Sequence, residues 1–162
     1  MDTEAVVRKT FAALDARDLD RFRALVHPEA EDRFLAVGTF SGRDAIVAFF
    51  NEMFVAVPDA RLEVRRVVAS GDVAAVEWTI RGTFNGGAFQ GIQPTGKSVE
   101  IEGVDVIEVR DGLQYRNSIY YDGATFARQI GMLPALGSRS DRAMLTAFNV
   151  LTRLRPRRSQ SS

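Results

Sequence analysis

Apolar residues recur at helical spacing in the first third of the chain and at alternate positions after Pro58. Val7, Phe11 and Leu14 build one face of a first helix. Asp18 can cap a second helix with Leu19, Phe22 and Val26 inward, and Pro28 is expected to end it. Ser41 or Gly42 opens a third helix carrying Ile46, Phe49, Phe50 and Met53, closed by Pro58. The period then changes to two. Leu62 and Val64 alternate with Glu63 and Arg65 in a half-buried strand, and Ser70-Gly71-Asp72 turns the chain. A second strand runs from about Val73 to Phe84, with Val76, Trp78 and Ile80 on one side.

The third strand, about Ser98 to Val109, changes phase. Val99 and Ile101 are apolar at odd positions, Val104 and Val106 at even ones, so a β-bulge is expected at Gly103. A tight three-residue hairpin at Arg110-Asp111-Gly112 leads into a last strand from Leu113 to about Tyr121. Residues 123–133 read as a closing helix ending near Pro134, and residues 141–154 as another, with Met144, Phe148 and Leu151 on one stripe. Helices followed by a meander of long strands predict an α+β fold, a curved antiparallel sheet packed on N-terminal helices, plus a C-terminal helical extension. The expected division is 1–137 for a pocket domain and 138–162 for a basic helix and tail, of which RLRPRRSQSS is expected to be mobile.

Composition narrows the chemistry. The 162 residues contain no cysteine and a single histidine, His27. Thiolate, disulfide and multi-histidine zinc chemistry are excluded; a carboxylate-only metal site is not formally excluded, although no metal is expected. The zero net charge divides into 15 basic and 20 acidic groups up to residue 137, then six arginines against Asp141 alone. An acidic body argues against a nucleic-acid partner. The basic tail can be solvated, can cover the domain or a dimer mate, or can touch an anionic membrane. No apolar run approaches the ~20 residues of a membrane span, and the acidic start MDTEAVVRKTF is unlike a signal peptide. A cytoplasmic location is expected.

The stretch GTFNGGAFQGIQPTGKSVEIEGVDVIEVRDG, followed by YYDGATFARQIGMLP, resembles the SnoaL-like polyketide cyclases of the nuclear-transport-factor-2-like superfamily, over about residues 5–135. The P-T-G-K turn, the D-G hairpin and the spacing of Asp122, Gln129 and Gly131 carry the likeness together. It implies a cone-shaped fold, a small hydrophobic ligand or substrate, no cofactor, and a homodimer formed through the outer sheet face. It also places Asp122 where those cyclases hold the general acid and base of an aldol ring closure. Asp122 also precedes Gly-Ala-Thr-Phe, where it can simply cap a helix. Both roles can coexist.

Asp105 lies mid-strand between Val104 and Val106, where aspartate is disfavoured. It matches the acid that ketosteroid isomerase keeps protonated to hydrogen-bond an oxyanion. It can equally be a structural aspartate bonded to a neighbouring strand or to Arg116. The resemblance puts Phe34 at the isomerase's general-base position and Thr10 at its oxyanion tyrosine, so steroid-type enolisation does not transfer. Asp105, Arg116 and Asp122 could imitate the Asp-Arg-Asp set of epoxide hydrolases, although not at that family's spacing. A three-residue hairpin pairs Asp105 with Asn117, so Asp105, Ile107, Tyr115, Asn117, Ile119 and Tyr121 share a pocket face. Glu108, Gln114, Arg116 and Ser118 take the opposite one. On that parity Asp122 reaches the cavity only if the strand end bends. Trp78 belongs to the core or the pocket wall.

Two functions follow. The first is an acid–base cyclase or isomerase, or a related hydrolase, acting on a hydrophobic, ring-forming substrate through Asp122 and Asp105, with Tyr121, Asn117, Tyr115, Ile107, Trp78 and Phe34 binding it. The second is a non-catalytic binding protein for an apolar ligand. A cavity of roughly 300 Å³ or more is the size either expects.

Overall fold

Aspartates start the first two helices of the computed structural model, which describes residues 2–154. Asp2 accepts from the Ala5 N–H ahead of α1 (Thr3–Asp15), and Asp18 accepts from the Arg21 N–H ahead of α2 (Leu19–Leu25). Each cap satisfies an amide that a helix start leaves unpaired. Val7, Phe11, Leu14 and Phe22 are buried, as the helical spacing requires.

Beyond α2 the chain does not enter a loop at Pro28. It continues as β1 (Val26–Phe34), turns into β2 (Gly38–Ser41), and only then forms α3 (Arg43–Ala56). Pro28 is tolerated because the pairing of β1 is interrupted between Val26 and Glu31. The remaining strands are β3 (Arg61–Ser70), β4 (Val73–Phe84), β5 (Lys97–Arg110) and β6 (Leu113–Tyr121), followed by α4 (Gly123–Gln129) and α5 (Arg139–Leu154). All six strands form one sheet in the order β2-β1-β6-β5-β4-β3. The fold is α+β, with a curved sheet on the N-terminal helices. The sheet is mixed rather than antiparallel throughout, because β1 runs parallel to β6.

The expected bulge at Gly103 is absent, and β4 and β5 pair without interruption from Val73–Glu108 to Phe84–Lys97. Odd positions of β5 face inward from Val99 to Val109, while Val104 and Val106 are exposed on the outer face. Gly103 is required by packing instead. A Cβ there would lie 2.4 Å from Trp78 Cζ2 and 2.8 Å from the Tyr120 carbonyl oxygen. The indole of Trp78 occupies that space.

The irregularity lies further along. The hairpin is a two-residue turn, with Arg110 opposite Leu113 and positive φ at Asp111 (52°) and Gly112 (78°). A register shift follows between Glu108 and Val109. Together they put Asp105 opposite Ile119 rather than Asn117. α4 ends at Gln129, short of Pro134, and Gly131 follows at φ 85°. In α5, Met144, Phe148 and Leu151 remain exposed. RLRPRRSQSS lies outside the described residues beyond Leu154. Among the described residues, no helix is long and apolar enough to cross a membrane.

Candidate functional site

The inner sheet face and the helices enclose a hollow of about 130 Å³. Phe11 and Leu14 of α1, Phe49, Phe50 and Met53 of α3, and Phe34 of β1 form much of its wall. The rings of Phe34 and Phe49 stand 4.2 Å apart, and those of Phe49 and Phe50 5.5 Å apart. Such aromatic contacts hold the wall together. The hollow is smaller than the size expected for either small-molecule function. It suits about one six-membered ring, since a cavity of roughly 150 Å³ holds benzene.

Among the described residues, Asp105 is the only carboxyl group on this wall, which Tyr121 also lines. Asp105 is 6% exposed. Its Oδ1 accepts from Trp78 Nε1 at 2.7 Å, and its Oδ2 accepts from Asn117 Nδ2 at 2.7 Å. Burial pushes its pKa up to about 6, against the opposing pull of the Asn117 and Trp78 hydrogen bonds. The group therefore changes charge near neutral pH, the range in which a carboxyl can both take and return a proton. Burial also raises the pKa of the Tyr121 hydroxyl.

A second buried carboxyl, Asp32, escaped the sequence reading because its strand did. β1 points Ala30, Asp32 and Phe34 inward. Asp32 is completely buried, and its Oδ1 accepts from Gln114 Nε2 at 2.9 Å. Burial pushes its pKa up to about 8; the Gln114 hydrogen bond opposes this, and the Asp105 charge adds to it. Gln114, expected on the solvated face, is buried because the shift near the hairpin rotates the start of β6.

Asp122 stands elsewhere. It is exposed, accepts from the Ala124 N–H (2.9 Å) and the Thr125 hydroxyl (2.6 Å), and caps α4. The hydrogen bond from Thr125 leads the causes that lower its pKa. With Glu100, Glu102, Thr125 and Gln129 it borders an open surface depression, outside the hollow. The spacing of Asp122 and Gln129 has a structural reason. Asp122 starts α4, and Gln129 fixes its far end by bonding both the N–H and the C=O of Glu100.

The other expected site residues divide. Phe34, Trp78 and Tyr121 line the hollow. Asn117 is buried behind it, bonded to Asp105, and Ile107 is fully buried in the adjoining core. Tyr115 is not on the pocket face. The Arg110 guanidinium lies 3.6 Å over its ring, and His27 packs edge-on to it. The displaced register near the hairpin accounts for this. Thr10 is buried with its hydroxyl donating to the Val6 carbonyl. Arg116 is exposed and faces Glu108 at 3.9 Å, so no Asp-Arg-Asp set forms. Among the described residues, no three His, Asp or Glu side chains converge as metal ligands.

Comparison with known proteins agrees with this architecture. The model of the SnoaL-like polyketide cyclase family matches residues 4–130. No protein with a curated description matches the chain. Among solved structures, AclR of Streptomyces galilaeus, described as a candidate hydroxylase, is 24% identical with a TM-score of 0.73, over 94% of this chain and 95% of its own. A SnoaL-like polyketide cyclase candidate from Jannaschia is 23% identical with a TM-score of 0.73, over 82% and 93%. IdmH of Streptomyces antibioticus, a candidate polyketide cyclase, is 24% identical with a TM-score of 0.70, over 81% and 99%. At these identities the structural likeness concerns the fold.

Proposed function

Because the chain belongs to the SnoaL-like polyketide cyclase family, we propose that it is an acid–base cyclase or isomerase acting on a hydrophobic, ring-forming substrate, with Asp105 as the proton-transfer group. The observation that carries this reading is a single carboxyl, with a pKa of about 6, set in an otherwise apolar wall.

The chemistry follows from that placement. Near neutral pH Asp105 is largely the carboxylate, held by Trp78 and Asn117. It removes a proton from carbon next to a substrate carbonyl. The resulting enolate carbon attacks a second carbonyl of the same molecule and closes a ring. Asp105, now the acid, returns its proton to the new alkoxide, so no net proton is consumed. Tyr121 is the hydroxyl on the same wall available to hydrogen-bond the developing oxyanion. The phenylalanine wall orients the ring and keeps water away. The hollow admits about one ring, so a larger substrate presents only its reacting end. In this reading Asp122 supports the site as the cap of α4, without touching substrate.

The test is Asp105→Asn. The substitution keeps the shape and removes the proton-accepting carboxylate. Turnover of polyketide-like β-dicarbonyl substrates is expected to fall by roughly 10²–10⁴-fold with the far-ultraviolet spectrum unchanged. Unchanged turnover would remove Asp105 from the mechanism.

The small, nearly all-apolar hollow favours one alternative, a non-catalytic protein holding a compact apolar ligand. In that case Asp105→Asn changes affinity alone. The reading also includes a homodimer. Val68, Val104, Val106 and Tyr120 are exposed on the outer sheet face, an apolar patch that a second copy can cover.

A further inference from the structure

Two buried oxygens behind the hollow have no hydrogen-bond partner among the described residues, and they belong to neighbours. One is Asp32 Oδ2 and the other is Asn117 Oδ1. Asp32 and Asn117 are register partners across the β1–β6 pair, and both side chains point inward. Adjacent strands lie about 4.8 Å apart, so side chains on register partners are within reach of each other. With Asp32 ionised, two acceptors are left buried on paired positions of neighbouring strands. That arrangement is costly, since each buried acceptor lost its water on folding.

One proton resolves both. We infer that Asp32 is held as the neutral acid and donates its Oδ2–H to Asn117 Oδ1, making it the positioning residue that keeps the Asn117 amide turned toward Asp105. The hydrogen bonds then run in one direction. Asp32 donates to Asn117, Asn117 Nδ2 donates to Asp105 Oδ2, and Trp78 Nε1 donates to Asp105 Oδ1. Gln114 Nε2 donates to the remaining oxygen of Asp32. Every polar atom of the two carboxyls and of the amide oxygen acquires a partner.

The assignment of the single charge follows from the donor count. Asp105 receives two side-chain donors and Asp32 receives one. The charge acting on Asp32 is that of Asp105 itself, so ionising one discourages ionising the other. The opposite assignment needs the Asn117 amide reversed, with its oxygen facing Asp105. Asp105 would then be the acid and Asp32 the base. The orientation of one buried amide therefore fixes which carboxyl facing this network holds the proton. An Asn117 pinned by Asp32 keeps Asp105 charged and ready to accept a proton.

The inference gains its functional meaning from Asp105 as the acid–base group, but its test uses no substrate. Infrared difference spectra at pH 7 are expected to show a buried carboxylic-acid C=O band. That band should vanish in Asp32→Asn and persist in Asp105→Asn. Carbon-13 NMR of labelled aspartate follows the Asp105 midpoint. Asp32→Asn retains an N–H donor for Asn117 and should not raise that midpoint. Asp32→Leu removes the donor and should raise it by about one pH unit, the size of a weakened hydrogen bond to a charged group. Absence of the band at pH 7, or its survival in Asp32→Asn, overturns the inference. So does an equal midpoint in the Asn and Leu variants. If Asp32→Leu does not fold, the infrared comparison decides alone. Unchanged turnover in Asp105→Asn would refute the catalytic reading and leave these spectra as they are.

Discussion

Raising the pH from 5 to 7 should destabilise this protein, and Asp32→Asn should remove most of that loss. Asp32 carries an ordinary pKa of 3.8 in the unfolded chain and about 8 when folded. Across this window the unfolded chain has released the proton and the folded one retains it. Stability therefore falls as pH rises, at about 1.4 kcal/mol per pH unit for a fully retained proton. Integrated from pH 5 to 7, Asp32 contributes a loss of about 2–3 kcal/mol. Asp105, with a folded pKa of about 6, adds a smaller loss, about 1 kcal/mol, over the same interval. The stabilising effect of each proton is fully present below the unfolded value and is gone above the folded one. Urea denaturation at pH 5, 6, 7 and 8 measures the slope. Asp32→Asn cannot titrate, so its stability should decline by only about the Asp105 share. A constant offset from repacking the amide does not enter the slope. Parallel stability–pH curves for the wild type and Asp32→Asn would refute the claim that this side chain retains its proton.

Gly103→Ala would force a methyl into the Trp78 ring and the Tyr120 carbonyl; a loss of about 1–3 kcal/mol is expected by chemical denaturation. Asp122→Ala removes the α4 cap and should cost about 1 kcal/mol in the same assay, with the Asp105 titration unmoved by NMR. A shift in that titration would bring Asp122 into the site. Val106→Arg puts a charge into the exposed apolar patch of the outer face and should convert a dimer to a monomer by light scattering. Unchanged mass relative to the wild type would place any dimer contact elsewhere.

The legible parts of the fold are those in which side-chain chemistry and geometry agree. Val76, Trp78 and Ile80 alternate cleanly, and β4 has the limits that alternation implies. Asp105 stood out for the same reason, as an acid among valines, and it is indeed buried. β1 was illegible because one of its inward positions is an aspartate and Pro28 lies within it. Its parallel partner β6 is the last strand, so no local pattern announces the pairing. Missing β1 meant missing Asp32. The misplaced bulge had a different origin. Val104 and Val106 mimic a phase change in the alternation, whereas they are apolar residues on the outer face. Tyr115 and Gln114 exchanged faces because a two-residue turn and a one-residue register shift cannot be told from a three-residue turn by alternation alone. The Asp122–Gln129 spacing was legible as a motif, but its use in fixing α4 required coordinates.

The lone indole has a practical consequence. Trp78 is the only tryptophan in the chain, and its N–H is bonded to the carboxyl of Asp105, the proposed proton-transfer group. Its emission therefore originates in the hollow alone. Neutralising that carboxyl, or seating an aromatic guest against the ring, alters the colour or intensity of the fluorescence without any attached dye. The protein carries a built-in optical gauge, by which candidate substrates can be screened before any turnover assay exists.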